Sequence, residues 1–308
     1  MDLQEIAKDL MRNHLSSNTR KSYSCGMNKF RIFCQQQNIR KLDRNAVLLF
    51  IASLHATKIA PSSAKVYLAA VRNELRERGL PDFTADDFIP LAIKGMERLD
   101  QRPSDARLPI TMALMRLIKT RLRLSQLDSF VQHLYWAACC FAFFGLLRAS
   151  EYTTHFVSSF LLSEHTIRLS DISVLSASSL KLHLRHTKTG THQEVSLLAT
   201  GHSVCPVRAF HHFRLQREKI SRPDFPLFTF KDGTFLTQQN FNHAIKSLLK
   251  HVPDCSHYSS HSFRIGNATQ AAASHTQEAY IQKAGRWKSS AYKGYIRPSS
   301  PSRHLQFF

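Results

Sequence analysis

The longest apolar run of the chain, residues 135–147, limits the folds that are open to it. The run (YWAACCFAFFGLL) is about 13 residues long and carries no charge. A membrane-spanning helix needs about 20 apolar residues, so the run is too short to cross a bilayer. A helix that is apolar all round must be enclosed by other elements. We therefore expect a buried central helix over residues 129–147.

The net charge points to the kind of partner. The 308 residues include 42 Lys and Arg against 22 Asp and Glu, a formal charge of +20. Because 43% of the residues are hydrophobic, a disordered basic tail is excluded. An excess of positive charge spread through folded sequence predicts a polyanionic partner, most simply nucleic acid. The N-terminus has no apolar segment of a secretory signal, and the six cysteines lack CxxC spacing, so we expect reduced thiols.

The pattern predicts two domains joined by a linker. Residues 1–99 predict a small all-α domain, with helices over 21–36, 47–54 and 91–99 and one that starts at Pro61. Ser17 or Asn18 could cap the first of these helices. Residues 100–110 are polar and hold two prolines, as expected of an interdomain linker. Residues 111–308 form the second domain, in which Thr111 is the expected cap of a helix over 112–124.

In the second domain the spacing of hydrophobic residues changes from helical to alternating, as in strands, and then returns to helical. Alternation over 166–174 predicts a strand, and alternation over 180–197 predicts a β-hairpin with Lys188 at or beside its turn. The pattern then returns to helices over 207–218, 237–250, 262–273 and 276–284. The fold class that follows is mainly α with a small β-sheet, an α+β second domain behind an all-α first domain.

Five short segments carry residues that suit phosphate chemistry, and each also has an ordinary structural explanation. An arginine at the end of a buried helix needs a partner or an anionic ligand. A His and an Arg three apart lie on one helix face, and a guanidinium can donate two parallel hydrogen bonds to a phosphate. The ordinary explanations are an internal ion pair, a solvated turn lysine, a surface helix pair, a core tryptophan and aromatic packing. The residues concerned are Arg148 with Glu151, Lys188, His261 with Arg264, Trp287, and Tyr292 with Tyr295.

The order of these segments resembles that of the tyrosine recombinases, the family of Cre, Flp and the phage integrases. The segments are GLLRASE, HTKTG, CPVRA, HSFRIG and GRWKSSAYKGYIR. The amino-acid sequences of these segments are most similar to those of the eukaryotic transposon members of the DIRS-type and Crypton kinds. The resemblance implies a helical, SAM-like core-binding domain over residues 1–99 and a catalytic domain over 111–308, which together form a C-shaped clamp around duplex DNA.

The resemblance also implies an active site and a reaction. Tyr295 would attack a DNA phosphodiester to form a 3′-phosphotyrosine and release a 5′-hydroxyl. The two arginines would bind the non-bridging oxygens, and the hairpin lysine would protonate the leaving oxygen. No metal or cofactor is required. The implied catalytic residues are Arg148, Glu151, Lys188, His261, Arg264, Trp287 and Tyr295.

The tyrosine segment leaves an alternative open. Tyr295 lies eight residues after Trp287, one fewer than the nine that the family implies, and Tyr292 lies five after it. Tyr295 is the predicted nucleophile because the Ile-Arg that follows fits the family's tyrosine segment, and Tyr292 is its rival.

The DNA contacts and the assembly are further expectations. Lys65, Arg72 and Arg76 on the third N-terminal helix are candidates for DNA contact, with a solvated helix face as the alternative. The resemblance implies double-stranded DNA as the partner, a homotetramer on paired DNA sites, no membrane, and a place in the nucleus.

Two other functions and one metal site are weighed against this interpretation. One is a domesticated DNA-binding protein that keeps the fold without recombining DNA. Another is a type IB topoisomerase, which uses a similar set of side chains. The third is a structural zinc site at Cys255, His257 and His261, for which no CxxC supplies a fourth ligand.

Overall fold

The computed structural model describes residues 2–102, 107–158, 164–187, 190–220 and 223–297. Two compact units make up the chain: unit 1, Met1–Ser104, and unit 2, Asp105–Phe308. The exact domain and linker boundaries expected from the sequence stay a prediction. Within the described residues, none of the helices combines the length and apolar character that crossing a membrane requires.

Unit 1 is helical, as predicted. Its helices are α1 (Leu3–Asn13), α2 (Ser17–Gln36), α3 (Arg44–Ala56), α4 (Pro61–Glu77) and α5 (Phe88–Leu99). The predicted cap of α2 is wrong by one residue, because Ser16 is the residue whose hydroxyl accepts the Thr19 backbone N–H, at 3.2 Å. Pro61 occupies the first turn of α4, where a missing N–H costs nothing.

The core of unit 1 is built around three phenylalanines from α2 and α3. The ring centroid of Phe50 lies 5.0 Å from that of Phe30 and 5.4 Å from that of Phe33. Helices α2 and α4 approach closely at Gly26, where a Cβ would lie 2.9 Å from Tyr67. A small residue is therefore required at this crossing, and the basic side chains of α4 lie outside the core.

Unit 2 is built around the predicted buried helix. Its helices are α6 (Met112–Leu124), α7 (Ser129–Phe144), α8 (Ala149–Tyr152), α9 (Pro206–Arg217), α10 (Gln238–Leu248), α11 (Ser260–Ala273) and α12 (Glu278–Ala284). Thr111 caps α6, as expected, by accepting the Leu114 N–H. All residues of α7 from Leu134 to Phe143 are buried, which confirms the central helix.

A three-stranded antiparallel sheet completes unit 2. Strands β1 (Ile172–Ser176), β2 (Ser179–Thr187) and β3 (Gly190–Leu198) lie in the order β1-β2-β3, which confirms the hairpin and the fold class. The predicted strand over 166–174 is wrong in its first half. The Asp171 carboxylate accepts the Arg168 backbone N–H at 2.8 Å and closes a 3-10 turn, so pairing begins only at Ile172. Lys188, between β2 and β3 in the sequence, lies outside the described residues.

Candidate active site

The turn after α7 presents the first arginine. The helix ends at Phe144, Gly145 caps it, and Leu146 has a φ of 47°. The helix predicted over 129–147 therefore ends three residues early. Arg148 instead caps the separate helix α8, and the Glu151 carboxylate at the third position of α8 accepts the Arg148 backbone N–H at 2.9 Å. Arg148 and Glu151 still meet, but across a helix start.

Glu151 is a buried carboxylate that two guanidinium groups share. Its side chain is 1% exposed. Its Oε1 lies 3.0 Å from Arg148 Nη1, and its Oε2 lies 2.6 Å from Arg286 Nη2. A carboxylate removed from water requires such partners, since an unpaired buried charge costs several kcal/mol. The arrangement holds the Arg148 guanidinium, which is 15% exposed, at the surface of the cluster.

Arg264 enters the same cluster from α11. It has no exposed surface, and its two terminal nitrogens donate to the carbonyl oxygens of Leu146 and Gly285. Burial, followed by the neighbouring charges of Arg148 and Arg286, lowers the pKa of Arg264 to about 9. Its guanidinium is therefore still cationic at neutral pH. The structure brings the two predicted arginines together as expected.

Two aromatic rings cover Arg264. Its guanidinium carbon lies 4.1 Å from the Trp287 ring centroid and 5.4 Å from that of Tyr295. The two rings are 5.1 Å apart. Gly285 makes room for the indole, because a Cβ there would lie 1.6 Å from it. Trp287 thus stacks on the arginine, and the catalytic role implied for it stays a prediction.

The two tyrosines differ in their surroundings. Both belong to the 3-10 segment Ser290–Tyr295. Tyr292 is 4% exposed, and its hydroxyl donates to the Glu278 carboxylate, which raises the pKa of Tyr292. Tyr295 instead packs beside Arg264 and Trp287. Only Tyr295 of the two lies over an arginine of the cluster.

His261 lies in the first turn of α11, one turn before Arg264, and is partly buried. The spacing of three thus sets both residues on one helix, as predicted. The position of Lys188, the predicted proton donor, is outside the described residues.

Residues 107–110 contact both the start of α11 and the chain that follows Tyr295. Leu108 N donates to His257 O at 3.2 Å, and Ile110 N donates to Ser262 O at 2.9 Å. Arg297 Nε donates to Arg107 O at 3.3 Å. At Gly266 of α11, a Cβ would lie 1.9 Å from Ile110 O, so only glycine permits this approach. The segment therefore connects α11 with the chain just after Tyr295.

The sequence reasoning missed Arg286. Its side chain is 6% exposed, and its φ is 56°. A signal for Arg286 was present in the sequence. The resemblance implies that the active-site residue preceding the tyrosine lies nine residues before it, and the residue nine before Tyr295 is Arg286, not Trp287. Trp287 was matched to that position despite its spacing of eight, so the arginine was passed over.

The predicted DNA-contacting residues lie on α4 and are paired with acids. Lys65 Nζ is 2.6 Å from Glu97, and Arg72 Nε and Arg76 Nη2 are 3.2 and 3.7 Å from Asp82. Their side chains are 56%, 43% and 69% exposed, respectively, which suits a solvated helix face as well as a DNA contact. Their role stays a prediction.

The zinc alternative finds no support in the described part of the chain. Cys255 and His257 lie in a 3-10 turn. No group of three or more His, Cys, Asp and Glu side chains in the described residues could hold a metal ion.

The chain is similar to known proteins in its N-terminal sequence and in its fold. The phage integrase N-terminal SAM-like domain matches residues 5–76. No curated protein matches the chain. Among solved structures, the XerH site-specific recombinase bound to palindromic difH substrate has a TM-score of 0.65 at 14% identity, over 91% of this chain and 76% of that one.

Two further solved structures are similar to the chain in fold. The Tn1549 transposon integrase in complex with circular intermediate DNA has a TM-score of 0.60 at 15% identity, over 96% of this chain and 95% of that one. A lambda integrase dimer bound to a COC′ core site has a TM-score of 0.60 at 11% identity, over 97% and 77%. The chain has the tyrosine recombinase fold. Its N-terminal part is a SAM-like domain of the phage integrase type.

Proposed function

We propose that the chain is a site-specific DNA recombinase that cuts and rejoins DNA through a 3′-phosphotyrosine on Tyr295. The observation that carries the proposal is the buried cluster of Arg148, Arg264 and Arg286 around one carboxylate, with a tyrosine lying over it. Three guanidinium groups against Glu151 leave a formal charge of +2. A phosphodiester carries one negative charge, and its transition state for displacement carries two, so the cluster complements the transition state better than the substrate.

The reaction balances without a metal. The Tyr295 oxygen forms a bond to phosphorus, and the bond from phosphorus to the 5′-oxygen breaks. His261 accepts the tyrosine proton, and Lys188 gives a proton to the leaving 5′-oxygen. The reverse displacement by a 5′-hydroxyl rejoins the strand and frees the tyrosine, so the bond energy is conserved.

The burial of Arg264 adds a step before chemistry. Solvent reaches the Arg148 side chain. Arg264 is fully buried beneath Trp287 and Tyr295. A phosphate can contact Arg264 only if the tyrosine segment shifts. DNA binding would supply that shift by attracting a phosphate to the net positive cluster.

The biological setting is also proposed. The solved Tn1549 integrase is a transposon enzyme bound to DNA, which supports a role in the integration or excision of a mobile element. The sequence wording favours an element of the DIRS or Crypton kind, and hence the nucleus of a eukaryotic cell. The proposed active form is a homotetramer on two paired duplexes. The last residues, 298–308, which could dock on a neighbour, lie outside the described residues.

A covalent-trapping experiment tests the proposal. Duplexes carrying the ends of the encoding element, nicked close to the cleavage position so that the cut fragment diffuses away, are mixed with the protein in EDTA. The unaltered chain should give a protein–DNA band that survives SDS. Tyr295→Phe should lose the band, and Tyr292→Phe, the matched control, should keep it.

The other outcomes each contradict a part of the proposal. A band lost only in Tyr292→Phe would reassign the nucleophile. Relaxation of supercoiled plasmid that needs no particular site would favour the topoisomerase. Tight, salt-sensitive binding of the element ends with no covalent band would favour a DNA-binding protein without recombination activity.

A further inference from the structure

Arg286 has a place in the site that neither the sequence reasoning nor the comparisons assign. We propose that Arg286 is a positioning residue for strand cleavage, which holds Glu151 and the Gly145–Leu146 turn so that Arg148 is presented to the scissile phosphate. This inference rests on the proposed function and goes beyond it by naming a third arginine that acts without touching DNA.

Three hydrogen bonds of the Arg286 side chain lead to Arg148, and a fourth, long one goes to Ala284 O at 3.5 Å. Its Nη2 donates to Glu151 Oε2 at 2.6 Å and to Leu146 O at 3.2 Å, and its Nη1 donates to Gly145 O at 3.1 Å. The Glu151 carboxylate in turn accepts hydrogen bonds from the guanidinium and from the backbone N–H of Arg148. One guanidinium therefore links the carboxylate that orients Arg148 to the turn that precedes it.

The main chain of Arg286 adds a second connection. Its carbonyl oxygen accepts from Arg148 Nη2 at 3.1 Å. Both terminal nitrogens of Arg148 are thus held, one by Glu151 and the other by Arg286. A guanidinium restrained in this way loses little rotational freedom when it binds a phosphate, which is the condition for a preorganised site.

The backbone of Arg286 closes the C-terminal turn of α12, where its N–H donates to Lys283 O and the Trp287 N–H donates to Gln282 O, each at 3.0 Å. A non-glycine residue with a φ of 56° is strained by about 1–2 kcal/mol. The same turn presents Gly285 O to Arg264 and places the Trp287 ring over it. Arg286 therefore holds the turn that organises the second arginine as well.

The charge of Arg286 favours an anion in the cluster. The pKa of Arg286 is lowered overall, mainly by burial and also by the nearby charge of Arg148, although Glu151 opposes the change. The charge of Arg286 also lowers the pKa of Arg264. With a single carboxylate present, the third cation is electrostatically unfavourable in the free protein and becomes favourable when a phosphate enters.

Unit 2 supplies a matched control in Arg217. This arginine is also fully buried, and its Nε and Nη2 donate to the carbonyl oxygens of Leu227 and Pro226, each at 2.9 Å. Burial lowers the pKa of Arg217 to about 10. These acceptors, and the Thr229 hydroxyl that its Nη2 also contacts, lie outside the site. A purely structural buried arginine should therefore behave like Arg217.

The test compares Arg286→Lys with Arg217→Lys on two substrates. Both are the nicked duplex of the trapping experiment, one with the natural scissile phosphodiester and one with a neutral methylphosphonate there. Single-turnover formation of the covalent band is measured per DNA-bound protein, with melting temperature as the check on folding. A neutral phosphorus centre develops less charge, so it depends less on the arginines.

We expect Arg286→Lys to slow cleavage of the phosphodiester about 100-fold, the loss typical of one transition-state donor, because Arg148 is then no longer held in place. On the methylphosphonate its rate should stay within about threefold of the unaltered chain. Arg217→Lys should lower the melting temperature and leave both rates within about threefold. In a Glu151→Gln chain, adding Arg286→Lys should cost much less than 100-fold, because the two residues act together.

Two results would overturn the inference while leaving the proposed function intact: a rate for Arg286→Lys no lower than that for Arg217→Lys, or an equal loss on both substrates. Absence of the covalent band from the unaltered chain, with Tyr295 in place, would contradict the proposed function itself and this inference with it.

Discussion

The stability of unit 2 should depend on the charge of Glu151. Glu151→Gln keeps the size of the side chain and removes its negative charge, which leaves Arg148 and Arg286 facing a neutral amide. Removal of one partner from a buried ion pair costs about 3–5 kcal/mol. Glu151 is 1% exposed and accepts three hydrogen bonds, two from guanidinium groups, so we expect a loss in this range.

The assay can isolate unit 2. Both tryptophans of the chain, Trp136 and Trp287, lie in this unit, so tryptophan fluorescence follows its unfolding alone. For a unit of this size each kcal/mol shifts the melting temperature by about 2–4 °C, so the midpoint should fall by about 10 °C. Urea unfolding at pH 7 gives the free energy directly.

Glu194→Gln is the matched control. Glu194 also accepts from two basic side chains, Lys181 at 3.0 Å and His183 at 3.4 Å, but it is 52% exposed on the sheet. Its substitution should leave the midpoint unchanged, because exposed ion pairs contribute little. If Glu151→Gln unfolds at the same urea concentration as Glu194→Gln, the cluster is not desolvated and the electrostatic reasoning about the site is wrong.

Four further predictions test separate parts of the molecule. Gly266→Ala should destabilise unit 2 by about 3 kcal/mol, measured by the same fluorescence melt, since its Cβ would overlap Ile110 O. Lys188→Ala should slow cleavage of a normal phosphodiester at least about 100-fold, yet cleave a 5′-bridging phosphorothiolate at nearly the unaltered rate, because a thiolate leaves without a proton. Lys65→Gln should reduce the slope of log affinity against log salt by about 1 in DNA-binding titrations. Glu278→Gln should lower the melting temperature near pH 7 and have no effect in acid. The Tyr292 and Lys293 contacts lower the pKa of Glu278 in the folded state, so their contribution is present above its ordinary value of 4.5 and is lost as the pH falls through the lowered one.

Each of these has a contradicting outcome. Unchanged stability of Gly266→Ala would mean that α11 and Ile110 are not in close contact. A Lys188→Ala chain that is equally slow on both linkages is not missing a general acid. An unaltered salt slope for Lys65→Gln would assign that residue to the solvated face. A destabilisation by Glu278→Gln that persists in acid would show that the carboxylate charge is not its cause.

Local signals explain which elements could be predicted. Thr111 and Pro61 mark helix starts by chemistry that acts within one turn, so α6 and α4 were placed to the residue. The buried helix α7 was predicted because an all-apolar run of helical length has few alternatives. The first half of the 166–174 strand failed because Asp171 satisfies the backbone locally, in competition with strand pairing.

Most members of the candidate site were predictable, with Arg286 as the exception, but the geometry of the site was not. The order of Arg148, His261, Arg264 and Tyr295 along the chain identified the resemblance. That Glu151 reaches Arg286 across 135 residues depends on the turn at Leu146, whose left-handed backbone no local pattern indicates. The stacking of Trp287 on Arg264 likewise follows from tertiary packing.

Residues 107–110 make the active site sensitive to tension in the chain. They follow the residues that join the two units, and they hydrogen-bond to the chain flanking α11 and to Arg297. A pull on the joining residues would therefore load, at the same moment, the helix that carries His261 and Arg264 and the segment that carries Tyr295. Strain in the joining residues would thus act together on Arg264 and on the proposed nucleophile, Tyr295.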